Sequence, residues 1–558
     1  MSKKIAWFSL VLAASFLITS GCVKEAKKLE PALKSITQED LAEDVKILAS
    51  DEFEGRFPAT QGEVKTINFM EKEFQKLGLR PGNGESFFQE VPMVEITADP
   101  SMKLKIKARQ KTLNFDYGTE FMAWTLRVKD EVAVKDSEMV FVGYGIVAPE
   151  YGWNDYQGLD VRGKTVVMLV NDPGFATQDT KLFEGRKMTY YGRWTYKFEE
   201  AARQGAEAAL IIHETEPAAY PWGVVRNSWS GPQLSLGTED ENLSRCAYEG
   251  WLKIETARKI FESAGADLEQ LKNEAKSRSF KPFSLGLKAS LVVKNRVRRI
   301  KSNNVIALLP GKKRPDEYII YMAHWDHFGL DPSLTGDQIF NGALDNATGS
   351  AALIELAEAF KKLPSPPARS IVFLAVTGEE QGLLGSSYYA AHPIFPRSKT
   401  VAAINMDALN IFGKMKDITV ITWGHSELDS YIEAAASEQG RRVRPDPKPE
   451  RGSFFRSDHF PLAKAGIPVL YTSFGIDHVE HGEQWTLERM DAWIKEHYHK
   501  PSDEYSPDWD LSGAVDDLQL LFKVGYRLSK ETTFPEWKKE SPFRAEREKQ
   551  IEEESLKK

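Results

Sequence analysis

Three apolar runs in the second half of the chain end in residues that can hold a metal. The run 318–323 leads into His324, the run 371–376 leads through Thr377 and Gly378 to Glu379 and Glu380, and the run 401–406 ends at Asp407. Imidazole and carboxylate donors without a thiolate suit zinc, manganese or cobalt, and zinc is the usual occupant of mixed histidine and carboxylate sites that do chemistry. Each residue alone has an ordinary explanation. A histidine after a strand hydrogen-bonds to its neighbours, and a Glu-Glu pair on a loop is solvated. Recurrence at the ends of successive strands is what points to a site, because in open α/β sheets the loops outside the carboxyl ends converge.

The elements that must position these residues alternate. Strands expected at 318–323, 371–376, 401–406 and 468–472 are separated by helices at 348–362, 382–391 and 427–438. Such alternation predicts an α/β fold with a largely parallel sheet and helices on both faces. Upstream, Leu41, Val45 and Leu48, then Ile67, Met70, Phe74 and Leu77, recur at three- and four-residue steps. They predict two amphipathic helices around a turn at Glu54, Gly55 and Arg56. Between about 120 and 292 the texture becomes glycine- and aromatic-rich, with strands such as 139–146 and 164–170, a helix at 198–205 and a strand at 208–213. That stretch reads as a separate, strand-rich domain. No internal repeat is evident, and 537–558 reads as a charged helix or a disordered end.

The bulk numbers agree with more than one domain, since 558 residues exceed the roughly 250–300 at which a single core stops growing. A formal net charge of −8 argues against nucleic acid and against electrostatic attachment to anionic lipid. Lys3 and Lys4 precede an apolar run, 5–18, that is too short to span a bilayer and ends in Thr19, Ser20, Gly21 and Cys22. The ending resembles a bacterial lipoprotein signal, with Thr19 standing where leucine is usual; it implies export, a lipid on Cys22 and membrane contact only through that lipid. Cys246 is then the single free thiol, so any metal must be held by histidine and carboxylate.

Several stretches together resemble the two-zinc aminopeptidases of metallopeptidase family 28, related to glutamate carboxypeptidase and the transferrin receptor. They are Ala323 to His327 (AHWDH), Gly342 to Gly349 (GALDNATG), Thr377 to Glu380 (TGEE), Asn405 to Asp407 (NMD), Ser457 to His459 (SDH) and Tyr498 to Asp503 (YHKPSD). The resemblance implies a phosphorylase/hydrolase-like sheet and two Zn²⁺ per chain, one taking His324 and Asp407, the other Glu380 and His499, with Asp345 bridging. It makes Glu379 the general base, Asp326 the carboxylate that orients the His324 imidazole, and Tyr498 a donor to the tetrahedral oxyanion. It also implies a cis Asp345-Asn346 peptide, and for Arg456, Ser457, Asp458 and His459 a role in supporting the ligands or in orienting substrate. His478 and His481, in a glycine-containing loop expected at 475–486, are expected to line the pocket or cap that loop, and His327, His425 and His497 to be structural. The middle of the chain, from Gly143 to Pro149 through Trp153 to Tyr156 and on to Asp160 to Val166, resembles the protease-associated domain of the same family.

The expected organisation is therefore a signal peptide (1–21), a linker after Cys22 (22–37), a catalytic domain (38–119 and 293–530), an inserted protease-associated domain (120–292) and a charged tail (531–558). Peptides are the implied substrates, and removal of their N-terminal residues the favoured reaction. A carboxypeptidase or dipeptidase, a glutaminyl cyclase and a non-catalytic peptide-binding lipoprotein are the alternatives.

Overall fold

The computed structural model describes residues 27–109 and 111–556; the expected signal sequence and Cys22 lie outside them. The described chain forms two compact units. The first comprises 27–91, 302–446 and 457–556, and the second comprises 92–301 and 447–456. The second unit thus begins at Pro92 and ends its long segment at Lys301, against the expected 120 and 292, and it also takes in a short segment far down the sequence.

The first unit is built on a mixed sheet of β1 (Phe283–Leu309, by its carboxyl-terminal stretch), β2 (Arg314–His324), β3 (Arg369–Val376), β4 (Thr400–Asn405), β5 (Asp417–Val420), β6 (Arg442–Pro445) and β7 (Val469–Phe474). Across the sheet the order is β1-β3-β2-β4-β7-β5-β6. The pairs β3–β2, β2–β4, β4–β7 and β5–β6 are parallel, whereas β1 and β5 run antiparallel to β3 and β7. The parallel strands read as continuous apolar runs because both faces are covered: Ile319 to Ala323 and Ile371 to Val376 are all fully buried. Register then levels their ends. His324 pairs with Val376, Met322 with Asn405, and Asn405 with Tyr471, so the three candidate ligand positions emerge along one edge.

Helices pack on this sheet. Gln38–Leu48 is capped by Thr37, whose hydroxyl accepts from the Asp40 amide at 3.0 Å, and it buries Leu41, Val45 and Leu48. Gln61–Lys76 buries Ile67, Met70 and Phe74, and Thr348–Lys361 is buried over most of its length.

Two stretches differ from expectation, and in a third, the tail, the expected charged helix is present and anchored. Residues 27–35 are helical, and Leu29, Ala32 and Ile36 enter the core, so this part of the expected linker is packed structure. The loop expected at 475–486 turns into a helix, Gly482–Glu496. In the tail, Trp537 is 1% exposed and donates to the Gly466 carbonyl at 2.9 Å, and the Arg544–Ser555 helix anchors Arg547 on the Thr400 carbonyl. Charged composition hid these anchors, which depend on a few large side chains.

The second unit has its own cores and a mixed sheet that includes Phe121–Trp124, Tyr248–Lys253, Ala208–His213, Thr165–Leu169 and Glu131–Phe141. The helices Trp194–Arg203 and Ile254–Ser263 accompany it.

Candidate metal centre

His324 closes β2 and is 1% exposed. Its Nδ1 lies 3.1 Å from the backbone carbonyl of Asp326 and 3.9 Å from that residue's carboxylate. The imidazole is thus oriented by the Asp326 carbonyl; the expected role of the carboxylate is taken by main chain. The carboxylate of Asp326 instead accepts from the amides of Glu379 (3.1 Å) and Glu380 (3.4 Å), tying the β2 end to the β3 end. With its proton on Nδ1, His324 turns Nε2 toward two carboxylates; Nε2 is buried without a hydrogen-bond partner, 3.3 Å from Asp345 Oδ1 and 3.5 Å from Asp407 Oδ1. Against burial, those two carboxylates hold the imidazole well above its ordinary range, so the position calls for positive charge, either a proton on Nε2 or a metal ion.

Asp345 sits in the turn that enters the Thr348–Lys361 helix, and its peptide bond to Asn346 is cis, as expected. Side chains on both sides fix this turn. Asn346 accepts from the amides of Gly349 and Ala408 and donates to the Met406 carbonyl, which sets Asp345 against the β4 end. Asp503 is 1% exposed and accepts from the amides of Leu344 (2.9 Å) and Asp345 (3.1 Å). Gly342 has a φ of +56°, and a Cβ there would lie 2.4 Å from the Asp345 carbonyl oxygen, so only glycine fits.

Beneath the turn lies Arg56, 1% exposed. Its guanidinium donates to the carbonyls of Trp325 (2.8 Å), Leu48 (2.8 Å), Asn341 and Gly342 (2.7 Å). Burial pulls its pKa down to about 10, opposed by Asp503, Asp326, Asp345 and Glu380. The sequence marked this position only as a turn; nothing local to an EGR triplet says that its arginine reaches main chain in four places.

Glu379 and Glu380 follow Gly378, whose φ is +66°. Asn304 holds the approach, accepting from the Thr377 amide at 3.1 Å. Glu380 Oε2 is 3.3 Å from His499 Nε2, which is also 3.3 Å from Asp345 Oδ2. The other oxygen of Glu380, Oε1, is 2.7 Å from His327 Nδ1. Asp407 follows β4 and its Oδ2 accepts from Ser457 Oγ at 2.6 Å; Ser457 in turn accepts from Asn405. Asp458 is fully buried and accepts from Ser386, and burial pushes its carboxyl up to about 7.

His499 differs from the others. It stands on the loop after Gly482–Glu496, with φ +56° and a side chain 33% exposed. Left-handed backbone at a non-glycine residue is uncommon and is held here by its surroundings. Tyr498 stacks on its ring with centroids 3.7 Å apart. His478 and His481 also stack on each other, 4.7 Å apart, and His478 Nδ1 accepts from the amides of Glu480 and His481, so the pair caps its loop.

The electrostatics are lopsided. Burial, together with Asp407, Asp458 and Asp345, pushes the Glu379 carboxyl well up against the pull of His324, and burial with Asp345 and Glu379 does the same to Glu380. Two sets of donors, His324 with Asp345 and Asp407, and His499 with Asp345 and Glu380, share the Asp345 carboxylate. Their donor separations are 3.3–3.5 Å. A tetrahedral zinc with bonds of about 2.0–2.1 Å to nitrogen and oxygen sets its ligand atoms about 3.3–3.4 Å apart, so the residues present fit the ion.

Residues 304–522 match Peptidase family M28. Among curated relatives, Aminopeptidase NAALADL1 of Mus musculus is 30% identical over 161 residues, 28% of this chain and 20% of the relative. Aminopeptidase YwaD of Bacillus subtilis is 29% identical over 209 residues, 36% of this chain and 39% of the relative. The chain therefore spans about a fifth to two fifths of the length of these relatives. The solved structure of the aminopeptidase from Aneurinibacillus sp. strain AM-1 superposes with a TM-score of 0.52 at 20% identity, covering 91% of this chain and 97% of that one, which establishes the shared α/β fold.

Proposed function

We propose that this chain, with its Peptidase family M28 segment at 304–522, is a zinc aminopeptidase whose site takes two ions. The observation that carries the reading is the pair of donor sets sharing Asp345, each spaced for a tetrahedral ion. His324 and Asp407 would hold one zinc, Glu380 and His499 the other, and Asp345 both. When bound, the ions would supply Lewis acidity, lowering the pKa of a water and polarising the scissile carbonyl.

The chain's own groups do the rest. Glu379 is held by its amide on Asp326 and crowded by carboxylates; it takes a proton from the attacking water and delivers it to the departing amine. Tyr498, beside His499, supplies a hydroxyl to the developing oxyanion. The negative surroundings favour a substrate ammonium group, which supports removal of the N-terminal residue. The second unit, by its likeness to a protease-associated domain, would restrict which peptides enter. Export with a lipid on Cys22 belongs to the same proposal and is tested by radiolabelled palmitate incorporation into the wild type and C22A.

The test is metal analysis combined with hydrolysis of an aminoacyl reporter panel, before and after chelation. About two zinc per chain, hydrolysis lost on chelation and restored by zinc, and an inactive E379Q that still holds both ions are expected. Cleavage only at the carboxyl end of blocked peptides would make the enzyme a carboxypeptidase. Cyclisation of glutaminyl peptides with one zinc would make it a cyclase, and zinc loading without any hydrolysis would leave a binding protein.

A further inference from the structure

His327 lies three residues beyond His324 and is fully buried. Together with Asp345 and Glu380 it forms a group of donors close enough to hold a metal ion. The distances separate ligand from support. His327 Nδ1 is 2.7 Å from Glu380 Oε1, whereas the opposite oxygen, Oε2, is 3.3 Å from His499 Nε2. Two atoms on one tetrahedral zinc cannot approach to 2.7 Å when the edge is about 3.3 Å. A charge-assisted N–H···O bond has that shorter length.

We propose that His327 is the positioning residue for the second zinc: its Nδ1–H holds Glu380 Oε1 so that Oε2 alone meets the ion beside His499. This rests on the two-zinc reading above. An aspartate or glutamate ligand can bind through one oxygen or both, and a hydrogen bond to one oxygen removes that choice. Because a ligating carboxylate only accepts, the His327 proton lies on Nδ1. Nε2 is then unprotonated, and it is buried without a hydrogen-bond partner among the described residues. The ring is held by packing instead. It lies against Gly342, where a Cβ would meet its Cγ at 2.5 Å, and the Phe328 ring stands at 5.0 Å. The absence of a side chain at Gly342 thus serves the Asp345 turn and admits the imidazole.

The experiment titrates zinc into the metal-free full chain against a chromophoric chelator, for the wild type, H327A, H327N, E380A and E380A/H327A, with the thermal melt of each metal-free protein as folding control. Asparagine places an amide N–H near the position of Nδ1. The expected result is that H327A weakens only the second zinc, about 10- to 100-fold. H327N should recover most of that loss, and H327A should add nothing in the E380A background. Wild-type affinity for the second ion in H327A would overturn the inference, as would equal weakening of both ions, or H327N failing like H327A. A wild type that binds fewer than two zinc overturns the two-zinc reading itself, and this inference with it.

Discussion

Two clusters of buried charge, one in each unit, are put together in opposite ways. In the second unit Lys197 is fully buried; it donates to the Tyr144 carbonyl at 2.6 Å, and burial pulls its pKa down to about 7 against the charges of Asp172 and Asp155. Asp155 accepts from the Ile146 amide and the Trp153 indole, and Asp172 accepts from the Phe175 amide and the Thr189 hydroxyl. Every oxygen of the two carboxylates has a donor, which leaves nothing for a ligand to complete. In the first unit the carboxylates of Asp345, Asp407, Glu379 and Glu380 crowd together, and the His324 Nε2 that faces two of them is buried without a hydrogen-bond partner. Buried polar groups are ordinarily satisfied, so an unsatisfied set at converging strand ends marks a binding site and a satisfied set marks structure.

The largest test of that contrast is D345N. An amide offers one acceptor oxygen in place of a shared carboxylate, so zinc content should fall at both positions and hydrolysis should drop to background; one fully retained zinc would mean the bridging assignment is wrong. K197M in the second unit should instead act on stability alone. It leaves the buried Tyr144 carbonyl without its donor and removes the charge that faces Asp155 and Asp172, and should cost about 3 kcal/mol. In calorimetry, the transition that zinc does not shift should move down, while zinc content stays unchanged.

Glu355 sharpens the comparison as a lopsided carboxyl with no converging donors. It is 2% exposed and accepts from the Thr37 amide at 3.2 Å; burial, with Asp40, Asp44 and Glu358, raises it from 4.5 to about 8. Below its unfolded value both states hold the proton and nothing is lost. Between the two values the unfolded chain ionises while the folded one keeps its proton, so the cost grows with pH and levels off above about 8. E355Q should therefore stabilise by about 4 kcal/mol at pH 8 and by almost nothing near pH 4, read from denaturation at the two pH values. A gain of equal size at both would assign the effect to packing. Smallest is S457A, which removes the hydroxyl from Asp407 and should weaken the His324-side zinc about tenfold while leaving the His499-side zinc alone.

The three strand-end ligands could be read from the chain because a buried parallel strand is a continuous apolar run, and its end is where the polar residue begins. The ligands His324, Glu380 and Asp407, and the base Glu379 beside Glu380, sit where such runs stop. Asp345 and His499 carried no such punctuation and came from family resemblance alone. Their loops are shaped by partners far away in sequence, such as Asp503 on the Asp345 amide.

What the sequence by itself determined is therefore the kind of donor, the alternation of strands and helices, and the edge at which the donors gather. Those follow from local patterning, which the backbone period converts directly into faces and ends. Only the tertiary structure decided that Arg56 binds four carbonyls beneath the site, that Asp326 works through its main chain on His324 and its carboxylate on the next loop, and that His327 supports Glu380. Each of these depends on distances of 3.4 Å or less between segments up to hundreds of residues apart, which composition and spacing do not encode.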